Sequence, residues 1–346
     1  MSRILIITMN WVGDVLFTTP AIRAIKNKFP HASIDVLVVP WAKDILLHNV
    51  DVNETILYDM KGIHKGFFGK LRLVKCLRDK TYDCVFLMHR SKTQALLMWL
   101  AGIPHRIGYN TKRRGIFLTK SLEPPREDMH MVEYYLGIVK GVNIPVERAL
   151  YSLSVGEQEK EWVHTFLEKQ SIQKDDILII INPGGNWKNK RWPIMQFASL
   201  ADRCVMKLGV KIIITGGRKD IPLAEQISQN MQSMPVIAAG ETTLQQLTAL
   251  VSLSDLYIGN DSGPTHIANA VSTPVIALFG PTHPGITGPY GIGKKVILQK
   301  SVGCQIPCHY LGCPQYRCME ALSVEAVFDT VCNLLKESNP HKLAIK

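Results

Sequence analysis

Residues 259–266 read Gly-Asn-Asp-Ser-Gly-Pro-Thr-His. They follow a strand-like apolar run, Leu256-Tyr257-Ile258, and lead into a helix-like run over 267–271. A strand that breaks into such a turn and re-enters a helix offers backbone amides at the positive end of the helix, where phosphate oxygens bind. Ser262 and Gly263 form the turn, and Asp261 and His266 add side chains able to hold sugar hydroxyls or a phosphate oxygen. The plainer reading is an ordinary turn with Asp261 or Ser262 as the helix cap.

Two further segments share this design. After the apolar run at 177–181 comes Asn182-Pro183-Gly184-Gly185-Asn186-Trp187-Lys188-Asn189-Lys190-Arg191-Trp192-Pro193. Its Pro-Gly-Gly stretch leaves backbone N–H groups open at Gly184 and Gly185. Lys190 and Arg191 bring positive charge suited to the diphosphate of a nucleotide-sugar leaving group. Lys188 reads as an ordinary surface lysine. Near the N-terminus, Asn10-Trp11-Val12-Gly13-Asp14 ends the first apolar run. Asp14 is either a helix cap or a general base that takes the proton of an attacking hydroxyl, and both roles are compatible. Gly216-Gly217-Arg218-Lys219-Asp220 is a weaker candidate for nucleotide contacts. Thr242-Thr243-Leu244 reads as a helix cap, and Gly280-Pro281-Thr282 completes a row of loops.

Some patterns point away from other chemistries. Residues 288–295 approach a phosphate loop but end in Lys294-Lys295, without the hydroxyl that binds Mg²⁺, and no strand directly precedes them. No Gly-x-Gly-x-x-Gly follows the first strand, against a dinucleotide-dependent dehydrogenase. Cys304, Cys308, Cys313 and Cys318 cluster without a Cys-x-x-Cys pair. They read as packed thiols in a loop, with a structural metal or iron–sulfur site, His309 as a spare ligand, as the alternative. Cys76, Cys84, Cys204 and Cys332 read as reduced core thiols.

These groups need rigid elements behind them, and the chain supplies a repeating strand–helix rhythm. Strands are expected at 4–8, 34–39, 55–58, 84–87 and 106–108, then at 177–181, 210–215, 236–239, 256–258 and 275–279. Helices are expected at 15–29, 67–77, 93–100, 130–142, 157–170, 195–207, 223–231, 244–252 and 267–271. The apolar runs are continuous, as parallel strands covered on both faces require. The rhythm breaks over 143–176 and restarts, so two doubly wound α/β domains are expected, 1–155 and 156–346, with the extreme C-terminus packing back on the first. Ligands of such sheets bind beyond the carboxyl ends of the strands, here in the cleft between the domains.

The 346 residues carry a net charge of +11. Residues 60–126 hold 15 Lys/Arg against Asp79, Asp83 and Glu123, a net +12 that leaves −1 for the rest. Such one-sided charge implies an anionic partner. Lys112, Arg113 and Arg114 lie in a polar stretch that reads as an exposed loop able to contact it. No transmembrane run of 18 apolar residues occurs. The apolar N-terminus, interrupted by Asn10, Gly13 and Asp14, reads as a buried strand of a cytoplasmic protein, not as a signal peptide.

Taken together, the segments resemble glycosyltransferase family 9, the ADP-heptose:lipopolysaccharide heptosyltransferases, over nearly the whole chain. The matching stretches are Val12-Gly13-Asp14 with Thr18-Thr19-Pro20-Ala21, Lys190-Arg191-Trp192-Pro193, residues 259–266 with Ala268, and Phe279-Gly280-Pro281-Thr282. Residues 313–319 resemble the C-terminal part of heptosyltransferase II-like members, whereas Pro183-Gly184-Gly185 departs from the Thr-rich version of some members. The resemblance implies a GT-B fold, two Rossmann-like domains facing across a cleft, with the acceptor on the first and the nucleotide-sugar on the second. It implies inverting, metal-independent transfer of heptose from ADP-heptose to the lipopolysaccharide inner core, with no cofactor. By that resemblance Asp14 is the base, Lys190 stabilises phosphate and Asp261 holds the donor sugar. Ser262, Gly263 and His266 form the diphosphate turn, and Asp220 lies near the ribose. The partners implied are a nucleotide-sugar, an anionic glycolipid such as lipid A–Kdo and the inner-membrane surface. Nucleic acid is not among them, and a monomer is expected. Another GT-B enzyme, such as a nucleotide-sugar epimerase, would leave the basic window unexplained. A non-catalytic anionic-surface binder would leave Asp14, Lys190 and Asp261 without a role.

Overall fold

The computed structural model describes residues 1–308, 313, 316–338 and 341. The chain divides into two compact units, Met1–Ser154 and Val155–Lys346. In the first, the order is β1 (Arg3–Ile7), α1 (Val12–Lys28), β2 (Ser33–Val38), β3 (Glu54–Leu57), α2 (Gly66–Asp79), β4 (Cys84–Leu87), α3 (Lys92–Leu100), β5 (His105–Tyr109), β6 (Lys120–Leu122) and α4 (Met131–Lys140). The second runs α5 (Glu157–Lys169), β7 (Leu178–Asn182), α6 (Ile194–Leu208), β8 (Lys211–Ile214), α7 (Ile221–Gln229), β9 (Val236–Ile237), α8 (Leu244–Ser252), β10 (Leu256–Asn260), α9 (Gly263–Ala270), β11 (Val275–Phe279), α10 (Pro284–Thr287), β12 (Lys295–Gln299), α11 (Arg317–Glu320) and α12 (Val324–Ser338).

Each unit holds a six-stranded sheet, in the orders β3-β2-β1-β4-β5-β6 and β12-β11-β10-β7-β8-β9, and every pairing is parallel. The strand order reverses between β1 and β4 in the first unit and between β7 and β10 in the second. Such switch points open a crevice where neighbouring connections leave to opposite faces.

The continuous apolar runs are explained by the pleat. Ile179, Ile181, Ile258, Ile276 and Leu278 pack in one core cluster, and Leu178, Ile180, Tyr257, Val275 and Phe279 in another. Alternate residues of each strand therefore feed two cores, and neither face can be polar. Ile180 is fully buried, so truncating it to Ala costs about 2–5 kcal/mol.

Several element bounds differ from expectation. The strands β6 and β12 lie where the sequence carries no clear period, and α12 is a further element outside the expected set although its Val327, Phe328, Val331, Leu334 and Leu335 recur at helical spacing. Helix α1 begins at Val12 and not at 15, which places Asp14 in its first turn, and α9 begins at Gly263 and not at 267. Pro20 sits inside α1. Its missing N–H would leave the Leu16 carbonyl unserved. The Thr19 hydroxyl donates to that carbonyl at 2.8 Å and accepts from the Ser152 amide at 3.0 Å. The Thr-Thr-Pro stretch thus repairs its own helix and ties down the segment that ends the first unit. As expected from Thr243, α8 starts with a capping box, Thr243 Oγ1 accepting from Gln246 N at 3.1 Å and Gln246 Oε1 from Thr243 N at 2.9 Å.

Among the described residues, no helix is long and apolar enough to cross a membrane. Cys84 and Cys204 are buried, Cys332 packs partly against a core, and Cys76, expected in a core, is exposed on the outer side of α2.

Candidate active site

In the second unit, β10 is paired with β7 on one side and β11 on the other, with Gly259 opposite Asn182 and Asn260 opposite Leu278. Three loops consequently leave the same sheet edge side by side: 183–193, the turn at Asp261-Ser262, and 280–283. Asp261 joins all three. Its Oδ2 accepts from Lys190 Nζ at 2.7 Å and from Thr282 Oγ1 at 2.7 Å. Asp261 is 7% exposed, and the Lys190 ammonium also lies over the Trp187 ring, 4.9 Å from its centroid. Lysine carries three N–H donors, so one bond to Asp261 leaves capacity for a further anion. Lys188, two residues away, is exposed.

Asn260 holds the first loop. Its Nδ2 donates to the Pro183 carbonyl at 2.8 Å and the Gly184 carbonyl at 3.2 Å, while its Oδ1 accepts from Trp192 N at 3.0 Å. Both guanidinium bonds of Arg191 go to the Gly185 carbonyl, at 2.9 and 2.6 Å. Arg191, expected to add positive charge for the diphosphate, is instead the brace of the Gly184-Gly185 turn. Asn260 is not among the residues expected to position the site; an amide at the end of a fully apolar strand is the signal that marks it.

Ser262 is the N-cap residue of α9 with extended backbone, and Gly263 and Pro264 begin the helix. No side-chain cap bond is made by Ser262. The first-turn amides of α9 point to the same edge as Lys190, which is the arrangement that favours an anion. His266 sits in this turn but is buried, at 4% exposure. Beneath it, Tyr257 is fully buried and burial raises its phenol pKa, so it stays neutral. A Cβ on Gly259 would lie 2.7 Å from that phenol oxygen, which is why glycine stands there.

Asp220 is buried next to the Gly184 turn. A Cβ on Gly184 would lie 2.9 Å from its carboxyl carbon, and one on Gly216 2.7 Å from its Cβ. Asp220 Oδ2 accepts from Gly217 N at 3.0 Å, whereas the buried Oδ1 has no hydrogen-bond partner among the described residues. An orphaned buried carboxylate oxygen is costly and suits a ligand hydroxyl.

The phosphate-loop lookalike is accounted for differently. Lys295 begins β12, and its ammonium bonds the carbonyls of Gly291 and Gly293, closing its own turn.

In the first unit, Asp14 lies in the first turn of α1, whose N-cap is Trp11, and so is not itself the cap. The carboxylate therefore stands at the positive end of the helix. The phenol of Tyr135 is fully buried close by; burial, and secondarily the charge of Asp14, push its pKa well up. Beyond the adjacent β4, His89 is driven to a pKa of about 4, first by burial and then by Arg114, Lys112 and Arg90. His89 Nδ1 accepts from Ser91 N at 3.0 Å. His89 helps line a cavity of about 300 Å³ with Tyr58, His64, Lys70, Ser91 and Gln94. Gln94 Oε1 is buried there without a partner among the described residues.

The basic triplet is not one exposed loop. Lys112 and Arg113 are exposed and take left-handed backbone at φ 54° and 55°, but Arg114 is 1% exposed. The tight turn points the Arg114 guanidinium inward, where it donates to the carbonyls of Tyr109 at 2.7 Å, of Leu87 at 3.4 Å and of His89. Burial lowers its pKa to about 10, so it remains charged at neutral pH. Arg114 is a structural clamp between β4 and β5, a correction of its expected contact with an acceptor.

Of the four clustered cysteines, Cys304 is exposed and the others are half-buried. Cys318 packs against a core, and its pKa is raised chiefly by burial and then by Cys313 and Cys304. Among the described residues, no group of three or more His, Cys, Asp and Glu is arranged to hold a metal ion; His309 lies outside them. Cys308 N donates to the Pro281 carbonyl at 2.7 Å, which joins this loop to the third loop of the site.

Comparison with known proteins places this geometry. The family model described as Glycosyltransferase family 9 (heptosyltransferase) matches residues 70–313. The chain is 31% identical to lipooligosaccharide heptosyltransferase 2 of Haemophilus influenzae, over 85% of this chain and 88% of that one. It is 30% identical to lipopolysaccharide heptosyltransferase 2 of Escherichia coli, over 85% and 87%. Among solved structures, a family 9 glycosyl transferase from Veillonella parvula superposes with a TM-score of 0.89 at 26% identity, covering 97% of this chain and 98% of that one. Escherichia coli ADP-heptose LPS heptosyltransferase II superposes with a TM-score of 0.81 at 26% identity, covering 97% and 99%. The two parallel sheets are those of the GT-B fold.

Proposed function

Since the chain belongs to glycosyltransferase family 9 and is a glycosyltransferase, we propose that it moves a heptose from ADP-heptose to the lipopolysaccharide inner core, with inversion and without a metal ion. The acceptor in this reading is a lipid A–Kdo or heptosylated core. The observation that carries the proposal is the junction of Lys190, Asp261 and Thr282 beside the start of α9. It supplies a cation and backbone amides where a diphosphate leaving group needs them.

In the proposed reaction, Asp14 takes the proton of the acceptor hydroxyl as its oxygen attacks the anomeric carbon. The bond from that carbon to the diphosphate breaks, and its electron pair goes to the phosphate oxygen. Lys190 and the amides of Ser262 and Gly263 meet the charge that develops there. Attack opposite the leaving group inverts the centre. Asp261 holds Lys190 in place and offers its carboxylate to sugar hydroxyls, Gly184 and Gly185 give the diphosphate close backbone approach, and Asp220 Oδ1 takes a ribose hydroxyl. His266 supports the diphosphate turn from within.

The first unit, which contains the whole basic window, is assigned the acceptor, with Lys112 and Arg113 on its anionic groups. The protein then works as a monomer on the inner face of the cytoplasmic membrane, held peripherally, with no cofactor and no nucleic acid partner. A panel of ADP-heptose, ADP-glucose, UDP-sugars and GDP-sugars, each offered with a heptose-deficient core acceptor, tests this. Product from ADP-heptose alone is expected; transfer from another sugar and none from ADP-heptose overturns it.

A further inference from the structure

Among the exposed large apolar side chains, Ile63, Phe67, Phe68 and Leu71 fall within nine positions at 59%, 70%, 82% and 42% exposure. We infer that this end of α2 is a bilayer-docking wedge that inserts the rings of Phe67 and Phe68 among the headgroups of an anionic membrane.

Three observations support it. First, the helix divides cleanly. Gly69, Leu73, Val74 and Leu77 face the core, and Phe67, Phe68, Leu71, Arg72 and Lys75 lie on the outward side. An outer face that mixes aromatic and basic residues is the composition of an interfacial helix, not of a solvated one. Second, the charge is one-sided. Residues 61–80 carry seven Lys/Arg and a single acid, Asp79. Lys80 is engaged by Glu54 and Arg78 by the Leu100 carbonyl, Lys61 lies over the Trp41 ring and Lys70 is half-buried, which leaves Lys65, Arg72 and Lys75 exposed around the rings. The first turn of α2 contains no acidic residue and follows Lys65, against the preference of a helix start for negative charge. Anionic lipid supplies that charge from outside. Third, the wedge is built firmly. The preceding turn is closed by His64 N to Asp59 O at 2.9 Å and Asp59 N to His64 Nδ1 at 3.1 Å, with His64 buried. Gly66 takes φ +71°, and Gly69 lies so close that a Cβ would be 2.5 Å from the His64 backbone. Phe67 and Phe68 stand edge to face, 5.6 Å apart. Two aromatic rings exposed to water on a firmly anchored helix start have an apolar cost that a membrane interface removes.

The inference rests on the proposed function in one respect, that a glycolipid acceptor requires work at a bilayer; its test does not use the transfer reaction. The full chain is sedimented with vesicles of phosphatidylcholine and with vesicles rich in phosphatidylglycerol. Binding to the second alone is expected. Phe67→Ser/Phe68→Ser should weaken it about tenfold or more, and Lys65→Gln/Arg72→Gln/Lys75→Gln by roughly fivefold per charge, with loss at high salt. Ile292→Ser, an exposed apolar residue on the second unit, should change nothing. In Phe68→Trp, emission should shift to the blue on adding anionic vesicles, which reads insertion even if the double variant folds poorly. Wild-type failure to bind, equal binding by the double Phe→Ser variant, or an unshifted emission from Phe68→Trp overturns the inference. So does a wild-type dimer that the double variant dissociates without any vesicle binding, which would make the face a contact between two copies.

Discussion

Lys190 and Asp261 meet at 2.7 Å although 71 residues separate them, and Thr282 shares the same carboxylate oxygen. The pair places a cation at the edge where three loops converge, and it fixes that cation through an acid with almost no solvent around it. Lys190→Ala should reduce turnover by about 10²–10³ and weaken ADP binding, the range for losing one leaving-group stabiliser. Lys188→Ala should do little. Calorimetric ADP titration and initial rates for the two variants decide it. Equal losses would mean diffuse phosphate binding by the loop.

Asp14→Asn should lower turnover by about 10²–10⁴ while ADP-heptose affinity stays within a few fold, because a base acts on the acceptor hydroxyl and not on the nucleotide. Retention of more than about a tenth of the wild-type rate, a barrier change under ~1.4 kcal/mol, removes Asp14 from this role.

Arg114 and its exposed neighbours should separate in a single experiment. Arg114→Ala strips a charged donor from buried carbonyls and should destabilise the protein by about 3 kcal/mol in denaturant melts. Lys112→Gln/Arg113→Gln should leave stability unchanged and raise acceptor KM with donor KM unaltered. Salt should raise acceptor KM in the wild type more than donor KM, since exposed pairs are screened over ~8 Å. An unchanged acceptor KM moves the anionic contact elsewhere in the basic window.

His89 gives a pH signature. Its folded pKa of about 4 lies below the ordinary histidine value of 6.5. Between those values the unfolded chain binds the proton and the folded protein does not. The stabilising contribution is therefore complete above pH ~6.5 and is lost as pH falls towards ~4, an effect of about 1–3 kcal/mol. His89→Asn should flatten that limb of the stability profile relative to wild type. Parallel profiles would show that other groups govern acid sensitivity.

Exhaustive treatment with EDTA should leave transfer intact, because Lys190 and backbone amides meet the leaving-group charge. Loss restored by Mg²⁺ would contradict the proposed mechanism. Restoration by Zn²⁺ or iron would instead make Cys304, Cys308, Cys313 and Cys318 a metal site.

The α/β class and the central strands were legible along the chain, because a buried parallel strand has no solvent face and must be written as an unbroken apolar run. Residues 177–181 and 275–279 announced their strands in this way. Turn chemistry marked the site loops equally well: Pro-Gly-Gly and Asp-Ser-Gly-Pro state their own local geometry. Strands β6 and β12 were not legible, since three- and five-residue edge segments with half-exposed side chains carry no strong period. Partnerships were not legible either. Arg114 and Arg191 look like any surface arginine along the chain, yet one is clamped between strands and the other braces a glycine turn. The ion pair of Lys190 with Asp261 depends on which strands lie adjacent, β7 against β10, and local sequence contains no information on that register. Only the tertiary structure decides which charges face solvent, because burial and pairing belong to side chains that are distant in sequence and meet solely through the order of the sheet.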